Sequence, residues 1–364
     1  MRFVISAHAL RRLRLRARQA SIPTLLTLGA GGLGGLACAR LGLPAPWISG
    51  ALLCVTALAL GGAPVAVPDP VRVVAFIVLG CSMGTALSPD MLGRAATWPV
   101  SMACLALSVV GVVIGVTVFL HWVSRWPLET AFYSAIPGAL SAVLAMAATS
   151  GADMRRVALS QSLRLFILVA ALPYAIGASG SGHPAMAPPA SQDTDWNAVA
   201  IMLAVSLAGG MAAARLRMPG GLLVGALAGS AALHATGLMT AQVPAVLLVP
   251  SFVVLGAAVG IRFQGMRLAD LKSHAIASVG AVAVAIIIST LFALLAAWLT
   301  GEEAGKMVTA FAPGALETMS VLGFALGFDP AFMSAHHIFR FAGLSIALPL
   351  AAHLLFSVRA GRKS

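Results

Sequence analysis

The residues of this chain with the clearest potential for chemistry are ionisable side chains inside long apolar segments. Glu317 comes three positions after Gly314, and Arg164 and Arg340 each lie well inside an apolar run. An ionised group at membrane depth is costly unless it meets a counter-charge, an ion, a proton or a hydrogen-bonded ligand. These three side chains are therefore the first candidates for a binding site.

Glu317 has two interpretations. As a functional group it would bind a coupling ion or a proton, or contact a substrate, with the hydroxyl groups of Thr318 and Ser141 as further ligands. As a structural group it would pair with a nearby Arg or Lys.

The two arginines also leave two interpretations open. A guanidinium offers a bidentate fork to a carboxylate or other anion, and helix N-termini at nearby breaks would favour an anion too. Alternatively, Arg164 and Arg340 hold the carbonyl groups of an interrupted segment in place.

His336 and His337 precede Arg340, where the first half of the chain has Ser160 and Gln161. Adjacent histidines point to different faces of a helix, so they do not form a chelating pair. A proton relay is one interpretation, and packing or hydrogen bonding is the other. No metal-spaced Cys/His set, P-loop or hydrolase motif is present in the sequence, so we expect no metal, no cofactor and no enzymatic activity.

Asp153 and Asp329 each precede an apolar segment, and Pro330 follows the second of them. Asp at the N-cap with Pro at the first helical position is a common helix start. We expect both residues to be helix caps.

These residues belong to an internal repeat. The sequence Pro-Gly-Ala-Leu occurs at 137–140 and at 313–316, an offset of 176 positions (313 minus 137). The Asp and Arg residues described above recur at the same offset, as does a Leu-Pro pair (Leu172-Pro173 and Leu348-Pro349). Residues 34–52 also match residues 209–227. The first apolar run therefore opens the first repeat and is expected to be retained rather than cleaved.

The composition places both repeats in a membrane. The chain has 364 residues, of which 60% are hydrophobic and 9% are charged, and its mean hydropathy is +0.97. Such a chain needs lipid as its solvent. We expect a basic tail at 1–20, membrane repeats at 21–178 and 197–357, a linker at 179–196 and a basic tail at 358–364.

The distribution of basic residues predicts the topology. Six of the 23 basic residues lie in the first 18 positions, and the linker has no Lys or Arg. By the positive-inside rule both termini are cytoplasmic and the linker is outside. Each half must therefore cross the membrane an odd number of times. Because each half has six apolar segments, one of them does not cross, and the Pro-Gly segments are suited to this. The predicted fold is an all-α inner-membrane protein with about ten transmembrane helices, two re-entrant or broken segments and an inverted repeat.

The sequence resembles the AbrB-type membrane family, which has also been described as ammonia monooxygenases. The resemblance rests on Pro-Gly-Ala-Leu-Ser, Gly-Ala-Asp-Met-Arg-Arg-Val-Ala, Gln-Ser-Leu-Arg-Leu and Leu-Pro. It implies a duplicated membrane domain and a link to regulation of gene expression. Six residues match the family pattern: Pro137, Gly138, Arg164, Pro313, Gly314 and Arg340.

The resulting hypothesis is a secondary transporter of a small anionic solute, with Glu317, His336 and His337 coupling transport to a proton or ion. The expected partners are the lipid bilayer, an unknown solute and a second copy in a homo-oligomer, but no nucleic acid. A role in regulation of gene expression is the alternative. Monooxygenase chemistry is disfavoured because the sequence shows no copper or iron ligand set. The proposed substrate-binding residues are Pro137, Gly138, Ser141, Arg164, Pro313, Gly314, Glu317, Thr318 and Arg340.

Overall fold

A computed structural model describes residues 7–86, 98–138, 140–180, 194–235, 239–266 and 268–360. Within these ranges the protein has fourteen α-helices and no β-strand. Parts of the predicted tails (1–6 and 361–364) and most of the predicted linker (181–193) lie outside the described residues. The basic tail at 1–20 is helical from Ala7 onward.

Each half of the chain contributes seven helices in the same order. Those of the first half are α1 (Ala7–Arg40), α2 (Pro46–Leu60), α3 (Asp69–Thr85), α4 (Trp98–Val118, continued by a π-helical turn to Val123), α5 (Leu128–Ala135), α6 (Leu140–Ala148) and α7 (Met154–Ala178). Those of the second half are α8 (Trp196–Arg215), α9 (Gly221–Ala235), α10 (Ala245–Gly260, continued by a 3₁₀ turn to Phe263), α11 (Leu268–Thr300), α12 (Ala304–Phe311), α13 (Leu316–Ala325) and α14 (Pro330–Ala360).

Seven of the described helices are long and apolar enough to cross a bilayer. The prediction of an all-α membrane protein is confirmed, and the number of crossings stays a prediction.

The two Pro-Gly sequences interrupt the helices. Helix α5 ends at Ala135 because the residue before a proline is disfavoured in the helical conformation, and Ile136 is extended (φ −67°, ψ 122°). Ala312 before Pro313 is extended in the same way (φ −53°, ψ 128°), and it ends α12. Each predicted broken segment is therefore two short helices separated by an extended residue and a non-helical Pro-Gly.

The two halves are related by a pseudo-two-fold axis. A methyl group added to Gly80 on α3 would lie 2.4 Å from the carbonyl oxygen of Leu223 on α9. A methyl group on Gly256, the counterpart of Gly80, would lie 2.3 Å from the carbonyl oxygen of Ile48 on α2. Reciprocal contacts between equivalent helices are the signature of such an axis.

The central helix pair shows the direction of that axis. On the equivalent helices α4 and α11, Gly111 lies beside Ile288, whereas Phe119, further along α4, lies beside Gly280, earlier along α11. The two helices therefore cross antiparallel. A two-fold axis that relates antiparallel helices runs across them, so the repeat is inverted, as secondary transporters commonly are.

Candidate functional site

Arg164 holds together the end of the first broken segment. Its guanidinium donates to the carbonyl oxygens of Ile136 (3.0 Å) and Ser134 (3.5 Å). These carbonyl groups belong to the last turn of α5 and the residue that follows, where no further helical turn satisfies them. A cation at a helix C-terminus also matches the helix dipole.

Arg340 does the same for the second broken segment. It donates to the carbonyl oxygens of Ala312 and Gly314, the latter at 2.7 Å. Both guanidinium groups are buried, with exposed fractions of 5% for Arg164 and 4% for Arg340. The contacts with carbonyl groups that one interpretation requires are therefore present, and anion binding by these arginines stays a prediction.

Gln161 stabilises the first broken segment, but its counterpart in the second does not form the same hydrogen bonds. Its amide donates to the carbonyl oxygens of Tyr133 (3.1 Å) and Ile136 (2.9 Å), and its oxygen accepts from Arg164. Its counterpart is His337, which is fully buried, and neither ring nitrogen of His337 has a hydrogen-bond partner among the described residues.

The two breaks meet beside a cleft of about 400 Å³. Its volume is within the range of small-molecule sites. The cleft is lined by Arg72, Gly138, Leu140, Ala142, Gln161, Arg164, Leu165, Gly220, Arg262, Gly314, Ala315, Leu316, Glu317 and Phe341. Four predicted site residues line this cleft, namely Gly138, Arg164, Gly314 and Glu317, and Pro137 and Pro313 precede its two glycines in the chain.

The predicted site residues Arg340 and Thr318 do not line the cleft. Both are buried, with exposed fractions of about 4% each. The side chain of Ser141 lies outside the described residues.

Arg72 and Arg262 line the cleft, although the sequence did not predict them as site residues. In the sequence they lie at segment ends, where basic residues usually report topology. Arg262 lies within electrostatic reach of both Glu317 and Arg72. The lining thus contains three guanidinium groups and one carboxylate, and the Nε of Arg164 is buried without a hydrogen-bond partner among the described residues.

Glu317 lies in the first turn of α13, where the helix dipole favours a negative charge. Within the described residues, the ion pairs shorter than 4.0 Å are Arg72–Asp69, Arg156–Asp153 and Lys306–Glu302. The carboxylate of Glu317 is therefore not locked in a salt bridge there, and it is partly exposed to the cleft.

The two acidic caps lie where the sequence placed them. Asp153 Oδ1 accepts from the backbone N–H groups of Arg155 (3.0 Å) and Arg156 (3.3 Å). Asp329 Oδ1 accepts from those of Ala331 (2.8 Å) and Phe332 (3.3 Å). These caps start α7 and α14 and so set the depth of Arg164 and Arg340 along them.

A family model described as "Transition state regulatory protein AbrB" matches residues 47–356. The chain belongs to the AbrB family. It is 27% identical to "Putative regulator AbrB" of Escherichia coli (strain K12) over 329 residues, which cover 86% of this chain and 90% of that protein.

A second AbrB-family match is the "Uncharacterized protein YhjN" of Bacillus subtilis (strain 168). The two chains are 28% identical over 258 residues, which cover 66% of this chain and 67% of that protein.

In this AbrB-family chain, the repeat counterparts of two cleft residues line a much smaller pocket. Ala45 and Leu248, the counterparts of Gly220 and Arg72, line a pocket of about 40 Å³ together with apolar residues that include Phe324. The two halves have the same helix order, but these equivalent positions border spaces of very different volume.

Among the described residues, no group of three or more His, Cys, Asp or Glu side chains is placed to hold a metal ion.

Proposed function

We propose that this chain is a secondary transporter of a small anionic solute, which binds in the cleft between the two Pro-Gly breaks. The observation that carries the proposal is the lining of the cleft, in which Arg72, Arg164 and Arg262 surround the start of α13. Guanidinium groups are the side chains best suited to carboxylate and phosphate.

The broken helices add to this positive potential. Gly138 and Leu140 at the start of α6, and Ala315 and Leu316 at the start of α13, all line the cleft. Helix N-termini carry free N–H groups and the positive end of the helix dipole. Two such termini from opposite repeats, together with the buried unpaired Nε of Arg164, favour an anion at this point.

Unequal openings support alternating access. The cleft near Arg72 has a volume of about 400 Å³, whereas the pocket at Leu248, the repeat counterpart of Arg72, has about 40 Å³. In inverted repeats the two halves can exchange conformations, which would close one opening and widen the other. The basic-residue pattern assigns the wide side to the cytoplasm, with both termini on the same side of an inner membrane.

Glu317 is proposed as the coupling group. It faces the same cleft as the three arginines without a salt bridge of its own among the described residues. A carboxylate there can bind a proton or a cation as the solute binds. No enzymatic step is required for this function.

A thermal-shift screen of the detergent-purified protein tests the proposal. We expect one or more small mono- or dicarboxylates to raise the Tm of the wild type and to lose that effect in Arg262→Gln. Arg215→Gln is the matched control, because Arg215 is exposed at the end of α8 and does not line the cleft. Equal stabilisation of both variants would place the ligand elsewhere and overturn the proposal.

The names given to the family and to the Escherichia coli relative favour a second function, regulation of gene expression. We propose that any such effect follows from transport. Transcript profiles of a deletion strain should then be restored by the wild type but not by Arg262→Gln. Full restoration by that variant would favour a regulatory role independent of the cleft.

A further inference from the structure

We infer that His336, held by Ser101 and Phe332, is a buried proton-binding site of the second repeat that lies apart from the cleft. The site itself does not depend on the proposed function, although a role in driving solute movement rests on it. Neither residue that contacts the imidazole nitrogens lines the cleft.

The hydrogen bonds around His336 are fully defined. Nδ1 lies 2.9 Å from the carbonyl oxygen of Phe332, one turn earlier on α14. Nε2 lies 2.7 Å from the hydroxyl oxygen of Ser101 on α4. The Ser101 hydroxyl is also 2.9 Å from the carbonyl oxygen of Trp98, to which it donates.

Counting protons shows which state of the imidazole fits this arrangement. With a proton on Nδ1 alone, Ser101 must choose between Nε2 and the Trp98 carbonyl, because a hydroxyl has one hydrogen. With a proton on Nε2 alone, the unprotonated Nδ1 faces the Phe332 carbonyl. Only the doubly protonated ring makes all three hydrogen bonds at once, and each unmade bond in a buried site is costly.

Two aromatic rings flank the imidazole. The Phe332 ring lies 3.9 Å from the His336 ring at an angle of 31°, and the Trp98 ring lies 6.3 Å away in an edge-on arrangement. Aromatic rings attract a cation through their faces. This attraction and the three hydrogen bonds offset part of the cost of burying a charge.

The charged groups near His336 balance each other in part. Lys306 Nζ lies 4.1 Å from the centre of the Phe332 ring, and it is paired with Glu302 at 2.8 Å. Lys306 opposes a positive charge on His336, and Glu302 favours it. On α14 itself, His337 is adjacent and Arg340 follows one turn later.

The first repeat has no ionisable counterpart of this site. The positions equivalent to Glu302, Lys306 and His336 are Trp126, Thr130 and Ser160, each 176 positions earlier. The second repeat therefore contains the buried ionisable cluster and also Glu317. Because α14 carries both His336 and Arg340, a change of charge at His336 acts on the helix that holds the second break.

Tryptophan fluorescence tests the site without any solute. A protonated imidazole beside an indole quenches its fluorescence more strongly than a neutral one, so Trp98 reports the state of His336. We expect a pH-dependent component in the detergent-purified wild type, obtained as the difference from Trp98→Phe. That component should disappear in His336→Gln.

Two further variants should shift the midpoint pH of this Trp98 fluorescence change in opposite directions. Ser101→Ala removes an acceptor of the imidazolium, so its midpoint should fall by about one pH unit. Lys306→Met removes a neighbouring positive charge, so its midpoint should rise. A titration that persists in His336→Gln, or that shifts the same way in both variants, would overturn the inference, whatever the outcome of the solute screen.

Discussion

Gly138 and Gly314, which are repeat counterparts, meet at the centre of the molecule. A methyl group added to Gly138 would lie 3.5 Å from the carbonyl oxygen of Gly314. The two interruptions of the helices thus lie at the pseudo-two-fold axis itself.

Gly138→Ala should destabilise the protein, because Gly138 has φ +89°, a conformation that side chains other than glycine rarely adopt. We expect a cost of about 1–3 kcal/mol, seen as a lower Tm in detergent. Gly177→Ala is the matched control, since Gly177 lies in helix α7 with nothing within 4 Å of an added methyl group. An equal Tm for the two variants would contradict the strained turn.

Arg340→Lys should weaken the second broken segment although the charge is kept. Lysine is a point charge and cannot reproduce the fork that holds the Ala312 and Gly314 carbonyl groups. Leaving one buried carbonyl unsatisfied costs about 1–3 kcal/mol. Thermal unfolding measures the loss, and Arg155→Lys on the exposed start of α7 should leave the Tm unchanged.

A cysteine at Ala142 should react with a membrane-impermeant maleimide from the cytoplasmic side, because Ala142 is exposed and lines the wide cleft. A cysteine at Leu248 should stay unreactive from both sides, since Leu248 is buried beside the small pocket. The background must lack the four native cysteines, Cys38, Cys54, Cys81 and Cys104.

Labelling of inside-out and right-side-out vesicles distinguishes the two sides. Reaction of the cysteine at Ala142 from the outside would reverse the predicted orientation. Faster labelling at Leu248 when a stabilising anion is added would show directly that the two openings exchange.

Glu317→Gln should separate solute binding from coupling. The substitution removes a negative charge from a cleft that also contains three guanidinium groups, so binding of an anion should be retained or become tighter. The dependence of that binding on pH or on sodium should disappear. Glu303→Gln is the control, because Glu303 precedes α12 and does not line the cleft. This variant should behave as the wild type.

Binding of the stabilising carboxylate, measured at several pH values with and without sodium, decides between these outcomes. If Glu317→Gln bound no carboxylate while keeping the Tm of the wild type, the side chain would be a direct contact of the solute instead of a coupling group.

Much of the architecture follows from local features of the sequence. Apolar runs predict membrane helices, Pro137 and Pro313 predict their interruption, and Asp153 and Asp329 predict helix starts. These effects act within a few residues, so the sequence alone is sufficient. The fixed offset between the copies predicts the repeat in the same way.

Tertiary structure alone decided what each polar side chain meets. Arg340 donates to a carbonyl group 28 positions away, and Arg72 and Arg262 reach one cleft from different repeats. The approach of His336 to Ser101 spans 235 positions. Hydropathy and spacing report which face of a helix is apolar, whereas the partner of a polar group depends on how helices from both halves pack. In this membrane protein that packing ties Arg164 and Arg340 to the carbonyl groups of the broken segments, and it brings Arg72 and Arg262 into the same cleft as Arg164.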